Sequence, residues 1–409
     1  MAEDNALRLI SKIIYDRDIT TVLERGVTAD WFPVLDHRQL FEFITAHYRR
    51  YGQVPSPTTV KSNFPRARIL RVEDPLDYML DELISWRRQQ GVIGIIRRAT
   101  DDIEDGHHEA AILTISQGLL KLESQTPVGS SDIDLTVDPQ SRWQEYQDRK
   151  DRGSTLLGLP TGFPTIDNAT SGIQAGQLIT VVATPKAGKS TLAMRIALNV
   201  HKAGYVPLFQ SFEMSNREQK DRHDAMRAGI SHTRLIRSLL STAEERAYQR
   251  ILEMMEDGEP SFILSDAAEG LTLSAVQAKI GKYRPELLIV DGVYLMYDEI
   301  TGERNTPQAL TNITRGFKAF AQRNKIPVII TTQALTWKMR GSKLSADAIG
   351  YSSSFFQDSD VILGLELINE DEETSRSLRV VASRNCGPAD VELHWDWEKS
   401  DFRELGDAA

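Results

Sequence analysis

A small all-α domain followed by an α/β domain built around a phosphate-binding loop is the fold this sequence predicts. Three observations lead there. Through the first 125 or so residues, apolar positions recur at three- and four-residue spacing with no convincing alternation. From Leu156 onward, apolar runs of strand length alternate with helix-length segments. Between the first of those runs and the next helix stands Ala183-Thr184-Pro185-Lys186-Ala187-Gly188-Lys189-Ser190-Thr191, which matches the phosphate-loop pattern G-x-x-x-x-G-K-S/T everywhere except its first glycine.

A length of 409 residues gives room for two or three domains. Hydrophobic residues at 41% and charged residues at 26% exclude both wholesale disorder and a membrane bundle. No apolar stretch approaches a bilayer span, and the opening MAEDNALRLISK is acidic, so a cytoplasmic chain with no membrane association is expected. The single cysteine, Cys386, can form neither an internal disulfide nor a cysteine-cluster zinc site. The net charge of −10 argues against a surface that coats nucleic acid throughout but leaves room for a local basic channel.

Taken in order, Leu7, Ile10, Ile13 and Ile14 form a first helical stripe, and Leu40, Phe41, Phe43 and Ile44 a second before the turn from Tyr51 to Pro57. Further helices are expected over Leu76 to Gln89, Val92 to Ile103 and Glu109 to Leu122. Together these make a helical domain over 1–125. A polar linker with a short charged helix, Gln140 to Arg152, occupies 126–155; apart from Trp143 and Tyr146 that helix has little apolar surface and would be marginal unless docked. The α/β domain fills 156–409. Its expected strands are Leu178 to Ala183, Val206 to Phe212, Phe262 to Leu264, Leu287 to Val290, Val328 to Thr332, Val361 to Leu367, Leu378 to Ala382 and Val391 to Trp397. Runs such as Leu287-Leu288-Ile289-Val290 suit a parallel sheet covered on both faces.

The chemistry gathers at the ends of those strands. Backbone N–H groups over Thr184 to Thr191, with the positive end of the helix beginning near Gly188, would wrap a β-phosphate. Lys189 would reach the β- and γ-phosphates and the Ser190 hydroxyl would ligate Mg²⁺. Asp291, after a buried strand, would hold the same ion through water, although an acid there can also simply cap the strand. Glu213, after Val206 to Phe212, could orient an attacking water as base if parallel topology brings it beside the first strand; an acid at that position also suits a helix start. Gln333 closes a strand where an amide could sense the γ-phosphate. His107 and His108 lie in a polar turn without ligand spacing, and no G-x-S-x-G elbow is present.

These residues resemble a known family. The run Leu157-Gly158-Leu159-Pro160-Thr161-Gly162-Phe163, then Ile166-Asp167, Thr170-Ser171-Gly172 and Gly176-Gln177-Leu178-Ile179, is similar to the entry of the RecA-like motor of DnaB-type replicative DNA helicases. In order, Ser211-Phe212-Glu213-Met214 resembles the family's S-L-E-M segment, Leu288-Ile289-Val290-Asp291 its Walker B strand, and Pro327 to Ile330 with Gln333 its sensor strand. Gln357-Asp358-Ser359-Asp360-Val361-Ile362 resembles Q-D-A-D-V, and Arg384-Asn385 with Gly387-Pro388 resembles R-N-G-P. Asp36-His37-Arg38, Leu40-Phe41 and Gly52-Gln53-Val54-Pro55 fit the family's helical N-terminal domain.

The resemblance implies a homo-hexameric ring with an N-terminal collar, hydrolysing ATP with Mg²⁺ between subunits, translocating on single-stranded DNA and working at the replication fork with a primase and a loader. By the same resemblance Glu213 is the catalytic carboxylate, Gln333 the sensor and Arg384 an arginine finger reaching a neighbour's nucleotide, while the helix Gln140 to Arg152 packs on the adjacent subunit. Departures are Ala183 in the loop, Cys386 inside the R-N-G-P segment, Ala382 where a basic residue is usual, and Gly350-Tyr351 where the family has Arg-Glu. Lys338, Arg340 and Lys343, with Arg304, are then the nearest basic residues for DNA phosphates. Two rivals stay open: a recombinase-type or recombination-mediator ATPase that does not unwind, and an inactive loader-like interaction subunit.

Overall fold

In the computed structural model, residues 2–108, 110–112, 114–115, 118, 122, 135–136, 139–151, 156–256, 258–267, 271–334, 354–368 and 374–405 are described. The chain divides into two units, Met1–Pro139 and Gln140–Ala409. The first holds helices Ala2–Asp16, Thr20–Glu24, Leu35–Tyr51, Pro57–Asn63 and Leu76–Glu104. Ile10, Ile13 and Ile14 are fully buried against Leu40, Phe41 and Ile44, as their spacing predicts, while Leu7 stays half-buried and Leu9 takes its place in the core. Pro57 opens its helix with Ser56 as cap, the Ser56 hydroxyl accepting from Thr59 N–H at 3.2 Å.

Where two helices are expected over Leu76 to Gln89 and Val92 to Ile103, the structure has one of 29 residues. Gly91 and Gly94 sit inside it, each costing about 0.5–1 kcal/mol relative to alanine. Burial of Met79, Leu80, Leu83 and Ile95, at about 1.5–3 kcal/mol per large side chain, outweighs that. Gly91 also has a packing role, since a Cβ there would come within 2.4 Å of Leu122. The expected helix from Glu109 to Leu122 falls partly outside the described residues, as does most of the linker. The charged helix spans Pro139–Asp151 and has no buried residue.

In the second unit one sheet has the strand order β3-β2-β4-β5-β1-β6-β7-β8-β9. The strands are β1 Leu178–Ala183, β2 Pro207–Ser211, β3 Ile263–Asp266, β4 Leu287–Asp291, β5 Val328–Gln333, β6 Val361–Leu367, β7 Ser375–Ser383, β8 Asp390–Asp396 and β9 Asp401–Glu404. Pairings among β1 to β6 are parallel. Beyond β6 the expectation of a parallel sheet fails, because β7, β8 and β9 pair antiparallel. Their connections, 368–374 and 384–389, are too short for a crossover, which needs a dozen or more residues. β8 accordingly alternates, with Val391, Leu393 and Trp395 buried between more exposed neighbours.

Alternate residues of β1 feed opposite cores. Ile179 and Val181 pack with Leu192, Ile196 and Val200 of helix Lys189–Lys202. Leu178 and Val182 pack with Leu310, Ile313 and Phe317 of helix Pro307–Asn324. Both faces are thus covered, as parallel strands require. The register sets Ala183 level with Gln333 and Ser211 level with Asp291, so the C-terminal ends of β1, β2, β4 and β5 open onto one edge of the sheet.

Candidate nucleotide site

Helix Lys189–Lys202 starts directly after Gly188, whose φ of 104° only glycine adopts readily, and Lys186 in the loop also has positive φ, 66°. The first N–H groups of such a helix have no intrahelical acceptor and face the loop, which makes an anion site. A Cβ at Gly188 would lie 2.7 Å from the Phe402 ring, so β9 floors the loop. Arg376 of β7, almost fully buried, donates from Nε to the Ala187 carbonyl at 3.3 Å. Ala183 lies within β1 in ordinary extended backbone, where a methyl group is accommodated, and this explains why the loop's first glycine can be absent.

The Lys189 ammonium is 2.8 Å from Glu213 Oε1, 3.3 Å from Asp291 Oδ1 and 3.2 Å from Thr331 Oγ1. Asp291 is fully buried and also accepts from Thr331 Oγ1 at 2.7 Å. Rather than following its strand, Asp291 is the last residue of β4. Glu213 does not stand beside β1, since β4 and β5 intervene between β2 and β1. It reaches the loop because its side chain extends across the ends of those strands, over Gly292; a Cβ there would be 2.8 Å from Glu213 Cγ. Ser190 Oγ lies 3.5 Å from Glu213 Oε2. Gln333 ends β5 and donates from Nε2 to the Tyr294 hydroxyl at 2.6 Å. Tyr294 in turn donates to Glu213 Oε1. Burial, then the Glu213 carboxylate, pushes the Tyr294 pKa well above the usual phenol value.

Lys189, Ser190, Glu213, Asp291 and Gln333 therefore converge, as the sequence predicts. Tyr294 joins them without any sequence signal of its own, and Arg222 lies within electrostatic reach. Tyr294 follows β4 in a short 3-10 turn, Val293–Leu295, where no periodicity marks it. Arg222, on helix Asn216–Ala228, lies in the field of Asp291, Glu218 and Glu213; burial lowers its pKa and those carboxylates oppose the shift. The Ser190 hydroxyl and the Asp291 carboxylate are hard oxygen donors of the kind Mg²⁺ takes alongside phosphates. Among the described residues no cluster of three or more His, Cys, Asp or Glu forms a metal site, and His107 and His108 are exposed.

Arg384 is elsewhere. It follows β7, level with the start of β1, and its N–H bonds the Asp360 carbonyl. Its guanidinium is half-exposed, donates to the Gln357 carbonyl at 2.7 Å and lies 3.8 Å from Asp360. The length of β1, roughly 15 Å at about 3.3 Å per residue, separates it from its own phosphate loop. Arg304 stacks over the Tyr297 ring at 5.3 Å. Lys338, Arg340, Lys343 and Gly350-Tyr351 lie outside the described residues.

Residues 158–404 match the DnaB-like helicase C-terminal domain family. A probable replicative DNA helicase of Trieres chinensis is 26% identical over 96% of this chain and 92% of its own length. The replicative DNA helicase DnaB of Geobacillus stearothermophilus is 27% identical over 62% of this chain and 58% of that protein, so the match spans little more than half of it. A solved DnaB-like replicative helicase, described with its interactions with primase, superposes with a TM-score of 0.68 over 97% of this chain and 98% of that one at 15% identity. A second solved structure, an isolated ATPase domain, gives 0.60 over 67% of this chain and all of its own, at 18% identity. The family match covers well over half of the chain and contains every strand and every residue of the phosphate pocket, and so the chain belongs to the DnaB-like replicative helicases.

Proposed function

We propose that this replicative helicase acts as a homo-hexameric ring that hydrolyses ATP with Mg²⁺ at subunit interfaces and draws single-stranded DNA through its centre to part the duplex. The convergence of Lys189, Ser190, Glu213, Asp291 and Gln333 on one sheet edge carries this reading. Backbone N–H groups between Thr184 and Thr191, all but that of Pro185, which has none, cradle the phosphates, and Lys189 exchanges its carboxylate partners for them. Ser190 and Asp291 would hold Mg²⁺, which when bound neutralises charge on the phosphates. Glu213 orients the attacking water, and Gln333 faces the γ-phosphate.

Arg384, too far from its own loop, serves as the finger for a neighbour, where an always-charged guanidinium stabilises the transferring phosphoryl group. Residues 1–125 would form the collar, with 126–155 as linker and 156–409 as motor. Trp143 and Tyr146, exposed and stacked 5.3 Å apart on Pro139–Asp151, suit docking on an adjacent subunit. Lys338, Arg340, Lys343 and Arg304 would contact DNA phosphates. A primase and a loader are the expected partners, and the cytoplasmic replication fork the expected place; among the described residues no helix is long and apolar enough to cross a membrane.

Unwinding of a forked duplex with ATP and Mg²⁺, run beside Glu213→Gln on the same size-fractionated particle, tests the reading. Strand separation that stops in the variant is expected. DNA-stimulated hydrolysis without separation would favour a recombinase-type ATPase instead.

A further inference from the structure

Glu213 Oε1 accepts from two donors, the Lys189 ammonium at 2.8 Å and the Tyr294 hydroxyl. The other oxygen, Oε2, meets only the Ser190 hydroxyl among the described residues, at the long distance of 3.5 Å. The carboxylate is thus turned so that one oxygen is saturated and the other faces the phosphate loop. A tyrosine hydroxyl has one proton, and beside a carboxylate that proton must point at the acceptor. Its lone pairs then face Gln333, which fixes Nε2 as the nearer amide atom, at 2.6 Å. The direction of donation therefore runs from Gln333 to Tyr294 to Glu213, joining the end of β5 to the residues after β2 through the turn after β4.

We propose that Tyr294 is a positioning residue that couples the Gln333 amide to the Glu213 carboxylate and holds Oε2 toward the attacking water. This rests on the roles given to Glu213 and Gln333 above. When Lys189 turns to phosphate, Oε1 loses its ammonium partner, and the Tyr294 hydroxyl is the donor that keeps the carboxylate from rotating. Gln333 Nε2 carries two hydrogens, so one stays on the Tyr294 oxygen while the other turns to the γ-phosphate, and its donation strengthens the bond from Tyr294 to Glu213, because donors in a chain polarise one another. Tyr294 is 9% exposed and its ring packs in the core beneath β4 and β5, which fixes where the hydroxyl lies.

Tyr294→Phe removes the hydroxyl and keeps the ring. Expected is a fall in kcat for DNA-stimulated hydrolysis of about 10–100-fold, within the range of a misplaced general base, with KM and binding of a fluorescent ATP analogue changed by less than about twofold. Gln333→Ala should cost less when combined with Tyr294→Phe than in the wild type, because the chain it acts through is already cut. An unchanged kcat in Tyr294→Phe, an equal loss of binding and turnover, or fully additive Gln333→Ala effects would each overturn the coupling. Lys189→Ala run alongside separates the two levels. Hydrolysis surviving there removes the site assignment, and the coupling with it; hydrolysis lost there but kept in Tyr294→Phe removes the coupling alone.

Discussion

Gly292 shows how one missing side chain shapes the pocket. Its φ of 85° lies where a side chain costs about 1–2 kcal/mol, and its vacant Cβ position is 2.8 Å from Glu213 Cγ. Gly292→Ala should therefore act twice, lowering stability by about that amount and displacing Glu213. A reduced melting temperature together with a drop in kcat of about tenfold or more would be the result, and full activity in the Gly292→Ala protein would show that Glu213 has room to move. At the same scale the sequence is only partly legible. Lys189, Ser190 and Asp291 carry spacing that a phosphate loop and a strand end demand. Tyr294 carries none, since its partners are 81 and 39 residues away and only the register of β2, β4 and β5 brings them within reach.

Elements are legible in the sequence where periodicity is strong. The strands β1, β2, β4, β5 and β6 stand within a residue or so of their expected bounds because both faces are buried and each carries a run of adjacent apolar residues. β9, Asp-Phe-Arg-Glu, has a single apolar residue and gives no strand signal; it is a strand because Phe402 packs against Trp395 at 4.4 Å and pairing with β8 satisfies its backbone. Helix Leu76–Glu104 reads as two helices in sequence because Gly91 and Gly94 weaken local propensity without deciding the outcome. Gly94 meets nothing within 4 Å of an added Cβ. Gly94→Ala should stabilise the helical unit by about 0.5–1 kcal/mol, seen as a raised unfolding midpoint in denaturant. A destabilised variant would mean that Gly94 is kept for close contact.

For the molecule as a whole, the net charge of −10 means that the proposed affinity for DNA would have to come from a few well-placed cations. Replacing Lys338, Arg340 and Lys343 together should weaken single-strand binding and flatten the plot of log affinity against log salt by about 2, at roughly 0.7 per phosphate contact. An unchanged slope would move the DNA contacts to other residues.

Arg384 and the phosphate loop stand at opposite edges of the sheet, so if Arg384 serves a neighbour's nucleotide as proposed, one chain carries two half-sites that cannot meet within it. Contact through unlike surfaces repeats head to tail until it closes. Turnover would then belong to a junction and not to a chain, and specific activity should fall on dilution. Lys189→Ala and Arg384→Ala, each expected to be inactive for a different reason, should then restore each other when mixed, at the junctions where a sound loop meets a sound arginine.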